Sequence, residues 1–156
     1  MFDKSKVSVL VISIANPILI GIYQNDLLID TIKSEGKTSD ILPEIFHTLV
    51  DKYQIEKVYY VNGPGSYMAI KIAYVFLKTF AIVQNIPFEA TDGFKFNHNT
   101  PIKALGKKYF FNGQDDKITV DFIQNLDDLK DFELPQKLMQ NIFSEKTLPN
   151  YHLPAV

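Results

Sequence analysis

The chain of 156 residues contains no cysteine. This excludes disulfides, thiolate catalysis and cysteine-bound zinc, and it fits a reducing compartment. Excess positive charge is also missing. Sixteen Lys and Arg stand against eighteen Asp and Glu, a formal net charge of −2, so no global basic field would draw nucleic acid. A signal-peptide pattern is absent. The apolar stretch at 7–22 is broken by Ser8, Ser13, Asn16, Pro17 and Gly21 and is too short to span a bilayer. Only three histidines occur, His47, His98 and His152, far apart and without the HExxH pattern or another ligand spacing. No repeat or low-complexity tract interrupts the sequence. These absences point to a soluble, cytoplasmic protein without a metal centre of its own.

What is present is globular: 46% hydrophobic and 22% charged residues, enough for one domain or one domain with a small appendage. The chain is organised around Val58–Ser66 and the apolar stretch that follows it to Gln84. Val58-Tyr59-Tyr60-Val61 reads as a buried strand. Gly63-Pro64-Gly65 breaks it, because glycine permits positive φ and proline fixes φ near −65°. Ser66 is a suitable N-cap for a helix. From Tyr67 to Val83 only Lys71, Lys78 and Thr79 are clearly polar. The two lysines are seven apart and share one narrow line, with Val75 and Ile82 beside it. A helix apolar nearly all round is buried on more than one side. Its own sheet can cover one side, and little chain is left for the other.

The remaining elements follow from pattern. Val7–Ser13, Ile18–Tyr23 and Leu27–Lys33 read as three strands with short turns, an antiparallel meander. Thr38, Ser39 and Asp40 offer N-caps for a helix to about Tyr53, whose stripe is Ile41, Leu42, Ile45, Phe46, Leu49, Val50 and Tyr53. Asn85-Ile86-Pro87 ends the second helix, and Phe88–Ala90 is a brief strand. The order βββαβαβ predicts an α/β fold: a mixed five-stranded sheet with flanking helices in residues 1–90. That is the RNase H-like arrangement of one lobe of the actin-like ATPases (the ASKHA fold). Residues 91–156 read as a reduced second subdomain. Thr91–Thr100 is loop-like. Short strands are expected at Ile102–Leu105, Lys108–Phe111 and Ile118–Ile123, a short helix at Leu134–Phe143, and an extended tail at 148–154. The segment from Asp115 to Glu133 holds seven acidic residues against two lysines, a solvated surface.

Gly63-Pro64-Gly65-Ser66-Tyr67-Met68-Ala69-Ile70-Lys71-Ile72-Ala73 resembles the TsaB (YeaZ) family. The GPGS and the aromatic match. Lys71 stands where the family has Arg, Met68-Ala69 replaces Thr-Gly, and Ala73 replaces a Gly. The likeness runs through the first strands and the Leu42-Pro43-x-Ile45 helix start, and more weakly reaches Pro149-x-Tyr151. It implies an accessory protein of tRNA modification, which makes N6-threonylcarbamoyladenosine at position 37. Such a protein is not the catalyst. It pairs through its two N-terminal helices with the related subunit TsaD, and the ATPase TsaE joins that pair. ATP, magnesium and metal would belong to those partners, and tRNA would be met only through the complex. Residues expected at the helix interface are Ile41, Ile45, Leu49, Tyr67, Ile70, Lys71, Ala73, Tyr74, Leu77 and Lys78. Where the family's first strand ends in an Asp-Thr-Ser turn, this chain has Ser13-Ile14-Ala15, with no carboxylate to hold a metal–nucleotide complex.

Three further readings stand beside this one. Gly63, Pro64, Gly65 and Ser66 form a turn that could also bind an anion at a helix N-terminus; it is not a P-loop, lacking GK[ST]. A small actin-like kinase or ATPase is the enzymatic alternative. A homodimer burying the same helices, in an unrelated role, is the other.

Overall fold

The computed structural model describes residues 3–152. Among them are three antiparallel strands, β1 (Lys6–Ile12), β2 (Ile18–Gln24) and β3 (Leu27–Ser34), then α1 (Thr38–Lys52), β4 (Gln54–Val61), α2 (Tyr67–Gln84) and β5 (Phe88–Thr91). These make one mixed sheet in the order β3-β2-β1-β4-β5. β1 pairs antiparallel with β2 and parallel with β4, and β5 runs parallel to β4. The short β1–β2 and β2–β3 connections allow only antiparallel neighbours, whereas α1 and α2 supply the crossovers that parallel strands require. The expected mixed five-stranded α/β sheet is therefore present. β4 begins at Gln54, ahead of the apolar run, because β1 offers Lys6 and Val7 as partners there.

Strand alternation gives the sheet two apolar faces. Val7, Val9 and Val11 of β1 join Val58 and Tyr60 of β4 on the helix side, with Phe46 and Leu49 of α1 and Ala73 and Leu77 of α2. Leu10 and Ile12, with Tyr59 and Val61, face the other way and meet Phe94, Phe96, Phe110, Leu138 and Phe143. Residues after 91 thus cover the second face of the sheet. The division at residue 90 separates stretches of sequence, but the second core cluster draws on both.

The C-terminal part holds a three-stranded antiparallel sheet, β6 (Ile102–Lys103), β7 (Lys108–Asn112) and β8 (Ile118–Phe122). Within the expected loop 91–100, Gly93–Phe96 is a 3-10 turn capped by Asp92, whose carboxylate accepts from the Phe94 N–H at 2.9 Å. The short helix expected at Leu134–Phe143 does not form. That segment is extended, with only a 3-10 turn at Gln140–Ile142. Its backbone is engaged elsewhere: the Leu28 N–H donates to Gln136 O and the Leu138 N–H to Asp26 O, at 2.9 and 2.8 Å. Pairing with the β2–β3 corner satisfies groups that a helix would have satisfied internally.

The last described residues return across the sheet. The Asn150 N–H donates to Asn62 O at 2.8 Å, the Tyr60 hydroxyl donates to Thr147 O, and Tyr151 stacks on Tyr67 with centroids 4.2 Å apart. The Tyr23 hydroxyl likewise donates to Pro135 O at 2.7 Å. The expected extended tail is seen to Tyr151, His152 turns with a φ of 59°, and the remainder lies outside the described residues. Burial raises both the Tyr23 and Tyr60 phenols far above their ordinary value of 10.0. A raised folded-state pKa means this stabilisation is complete below pH about 10 and is lost as pH climbs above it. The protein is expected to lose stability to urea above pH about 10, and the Tyr60→Phe variant should lose less over the same range. Equal losses in the two proteins would show that the phenol does not couple to folding.

Candidate functional site

Two features of the helix side of the molecule define the candidate site: the turn Asn62–Ser66 and the outer surface of α1 and α2. Gly63 has φ +133°, a conformation closed to residues with a side chain. A Cβ there would also overlap the Asn150 carbonyl. At Gly65 a Cβ would stand 2.9 Å from Ile14 Cβ. The turn is squeezed between the end of β1 and the C-terminal strap. Gly63 and Pro64 are buried, Gly65 is half-buried, and only Ser66 is exposed. Of the four residues considered for an anion, only Ser66 lines the adjoining cavity of about 310 Å³, with Ser13, Lys37, Thr38 and Ser39 among its other walls. Ser66 occupies the N-cap position of α2 but makes no side-chain capping bond. The N-cap of α1 is Lys37, not one of the expected Thr38, Ser39 or Asp40, and it too makes none. No carboxylate lines this cavity. Ser13, where a metal-holding carboxylate would be needed, is buried.

α2 is the one described helix long and apolar enough to cross a membrane by length and composition. Here it lies on the sheet through Ile70, Ala73, Leu77 and Ala81, all buried. Their i, i+3, i+4 spacing marks a single stripe. The opposite stripe is open: Met68 is 57%, Val75 55% and Ile82 67% exposed, with Lys71 and Lys78 exposed among them. Beside it, an apolar groove of about 440 Å³ runs between the helices, lined by Thr38, Pro43, Met68, Ile72, Val75 and Phe76. Phe76 is fixed from within, edge-on to Phe46 of α1 at 5.5 Å.

This phase corrects half of the expected interface. Ile41, Leu49, Ile70, Ala73 and Leu77 are buried in the protein's own core and cannot reach a partner. Ala73 is inward because a small side chain lets α2 approach β4 and β5. Ile45 and Tyr74 are half-buried against the core. Tyr67, Lys71 and Lys78 are exposed. Sequence reasoning left Met68, Ile72 and Phe76 off the interface, and put Val75 and Ile82 only beside the lysine line. The signal that finds them is the phase of the two lysines, which marks the outward side.

Among the described residues no three His, Asp or Glu side chains gather as metal ligands. His47 lies on α1, His98 near the second face beside Glu133 at 3.6 Å, and His152 on the tail.

The fold defines a class: an α/β protein built on a β3-β2-β1-β4-β5 mixed sheet with two helices on one face. It is similar to YeaZ from Pseudomonas aeruginosa, with a TM-score of 0.56 at 10% identity, covering 74% of this chain and 64% of that one. It is similarly related to an uncharacterised protein described as having similarity to the peptidase YeaZ from Pseudomonas aeruginosa, TM-score 0.55 at 10% identity, covering 74% and 63%. The chain thus spans less than two thirds of the length of either neighbour, and the likeness is one of fold. No protein-family model and no curated protein matches the sequence.

An apolar helix face of this kind is uncommon on a soluble monomer. Alone in solution the protein should self-associate, with an average mass that rises with concentration in sedimentation experiments. The Val75→Glu variant should remain monomeric. A wild-type protein that stays monomeric at high concentration would contradict this.

Proposed function

We propose that this protein is a TsaB-like accessory subunit with an actin-like lobe, which docks a TsaD-like partner through the outer faces of α1 and α2. The observation that carries the reading is the split character of α2. One stripe is committed to the sheet, and the other presents Met68, Val75 and Ile82 to solvent. The YeaZ-like fold supports the choice of partner, as does the Gly63–Tyr67 sequence at the start of α2. In this role the protein is a scaffold in the cytoplasm. TsaD would carry the reaction that places threonylcarbamoyl on adenosine 37 of tRNA, TsaE would join through the pair, and nucleotide and metal would be held by those subunits. The absence of a carboxylate at Ser13 speaks against the protein acting as an ATPase.

The turn before Ser66 has the strand-to-helix position of a nucleophile elbow, but its sequence is P-G-S-Y-M and not G-x-S-x-G. Its geometry is accounted for by the crossing of Asn150 and the packing of Ile14. That favours a scaffold over a peptidase.

Co-purification with the TsaD of the same genome tests the proposal. Wild-type protein should be retained. Val75→Glu, which changes a residue outside the core, should weaken retention by about a hundredfold or more through a charge buried without a partner. Normal retention of a folded Val75→Glu protein, or no retention of wild type, would overturn it.

A further inference from the structure

On the second face of the sheet, away from the docking helices, a cleft of about 340 Å³ opens between the β1–β2 turn and the C-terminal part. Its floor is apolar. Ile14 and Ile102 are 4% exposed and converge with Phe132 around Gly93, where a Cβ would meet all three within 3.3 Å. Three lysines line it, Lys33, Lys103 and Lys130, against the single acidic residue Asp131. They come from three separate places in the chain. Lys33 is the register partner of Leu19, and both line the cleft. Lys103 pairs with Tyr109 across β6 and β7, with its Nζ 5.3 Å from the Tyr109 ring centroid and 2.8 Å from Gly106 O. An ammonium has three donors, so that bond leaves two.

A polar group of fixed orientation also borders the cleft. Asn97 is 1% exposed. Its Nδ2 donates to Thr100 O at 2.9 Å, and its backbone oxygen accepts the Thr100 hydroxyl at 2.8 Å. The Thr100 Oγ1 in turn accepts the Lys130 N–H at 3.1 Å. Turning the amide over would set Oδ1 against the Thr100 carbonyl, so its orientation is determined. Oδ1 is left buried with no hydrogen-bond partner; a ligand donor reaches it once the Asn97 wall of the cleft gives slightly on binding, and the bond then offsets that cost.

The geometry points to this cleft as a binding site for a small organic anion that also carries an N–H or O–H donor. The lysines supply the field for a carboxylate or phosphate monoester, Asn97 Oδ1 accepts from the donor, and the floor with Tyr109 covers an apolar or ring-bearing body. A bare inorganic ion would leave that floor uncovered. The site does not depend on the docking role of α2, and neither stands or falls with the other.

Backbone NMR titration of the full chain tests it. The probes are N-acetylphenylalanine, which offers a carboxylate and an amide donor, and phenyl phosphate, which offers the phosphate monoester. The controls are the uncharged N-acetylphenylalanine amide and inorganic phosphate. At least one organic anion should give saturable shifts at Asn97 and residues 129–132. Which one does so identifies the anionic group. The Lys103→Gln/Lys130→Gln variant, changed only at exposed positions, should bind about tenfold more weakly. The site is overturned if neither organic anion shifts these residues, if the uncharged amide or inorganic phosphate binds as tightly, or if the lysine variant binds unchanged.

Discussion

A mixed sheet that is apolar on both faces must be covered on both. Two helices seal one face over Val7, Val9 and Val11. The residues beyond β5 seal the other over Leu10, Ile12 and Tyr59. Each large aliphatic side chain so buried contributes about 1.5–3 kcal/mol, so neither cover is dispensable. Once both are in place, no described segment remains to cross the outside of α2. The open helix face is what the described residues leave uncovered, and the docking proposal follows from it.

The last stretch of the second cover is held by ties that converge on one place. The strap 147–151 is fixed by Asn62, by Tyr60 and by the stacking of Tyr151 on Tyr67. All three partners flank the Gly63–Gly65 turn. The same turn starts α2, so the glycine that admits the Asn150 carbonyl also positions the helix whose outer side is open. Tyr67 is the residue where these two roles meet. One side of it carries the strap, and its neighbour Met68 opens the apolar face.

Much of the first sheet was legible because its signals are local. The β-branched runs of β1 to β3, the wide stripe of α1 and the break at Gly63-Pro64-Gly65 do not depend on distant contacts. The orientation of α2 was not legible from hydrophobicity. Ala73 and Ala81 turn inward while Val75 and Ile82 turn outward, the reverse of what residue size alone suggests. Close approach of helix to sheet favours the small residues. Leu134, Leu138 and Ile142, spaced four apart, imitate a helix, yet all three pack under an extended segment into the second core cluster. That outcome was set by backbone pairing with Asp26 and Leu28, more than a hundred residues earlier. The cleft beside Asn97 was invisible for the same reason, since the β1–β2 turn, β3 and the segment 129–132 meet only in the folded molecule.

Among the described residues, α2 has one side committed to its own sheet and one side covered by nothing. Equilibrium urea unfolding of two variants, two residues apart and on opposite sides of the helix, measures this directly. Ala73→Glu sets a carboxylate into the buried stripe and should leave the protein unfolded or destabilised by about 3 kcal/mol or more. Val75→Glu sets the same group on the open stripe and should change stability by no more than about 0.5 kcal/mol. A folded, stable Ala73→Glu protein, or a Val75→Glu protein that unfolds, would contradict the account.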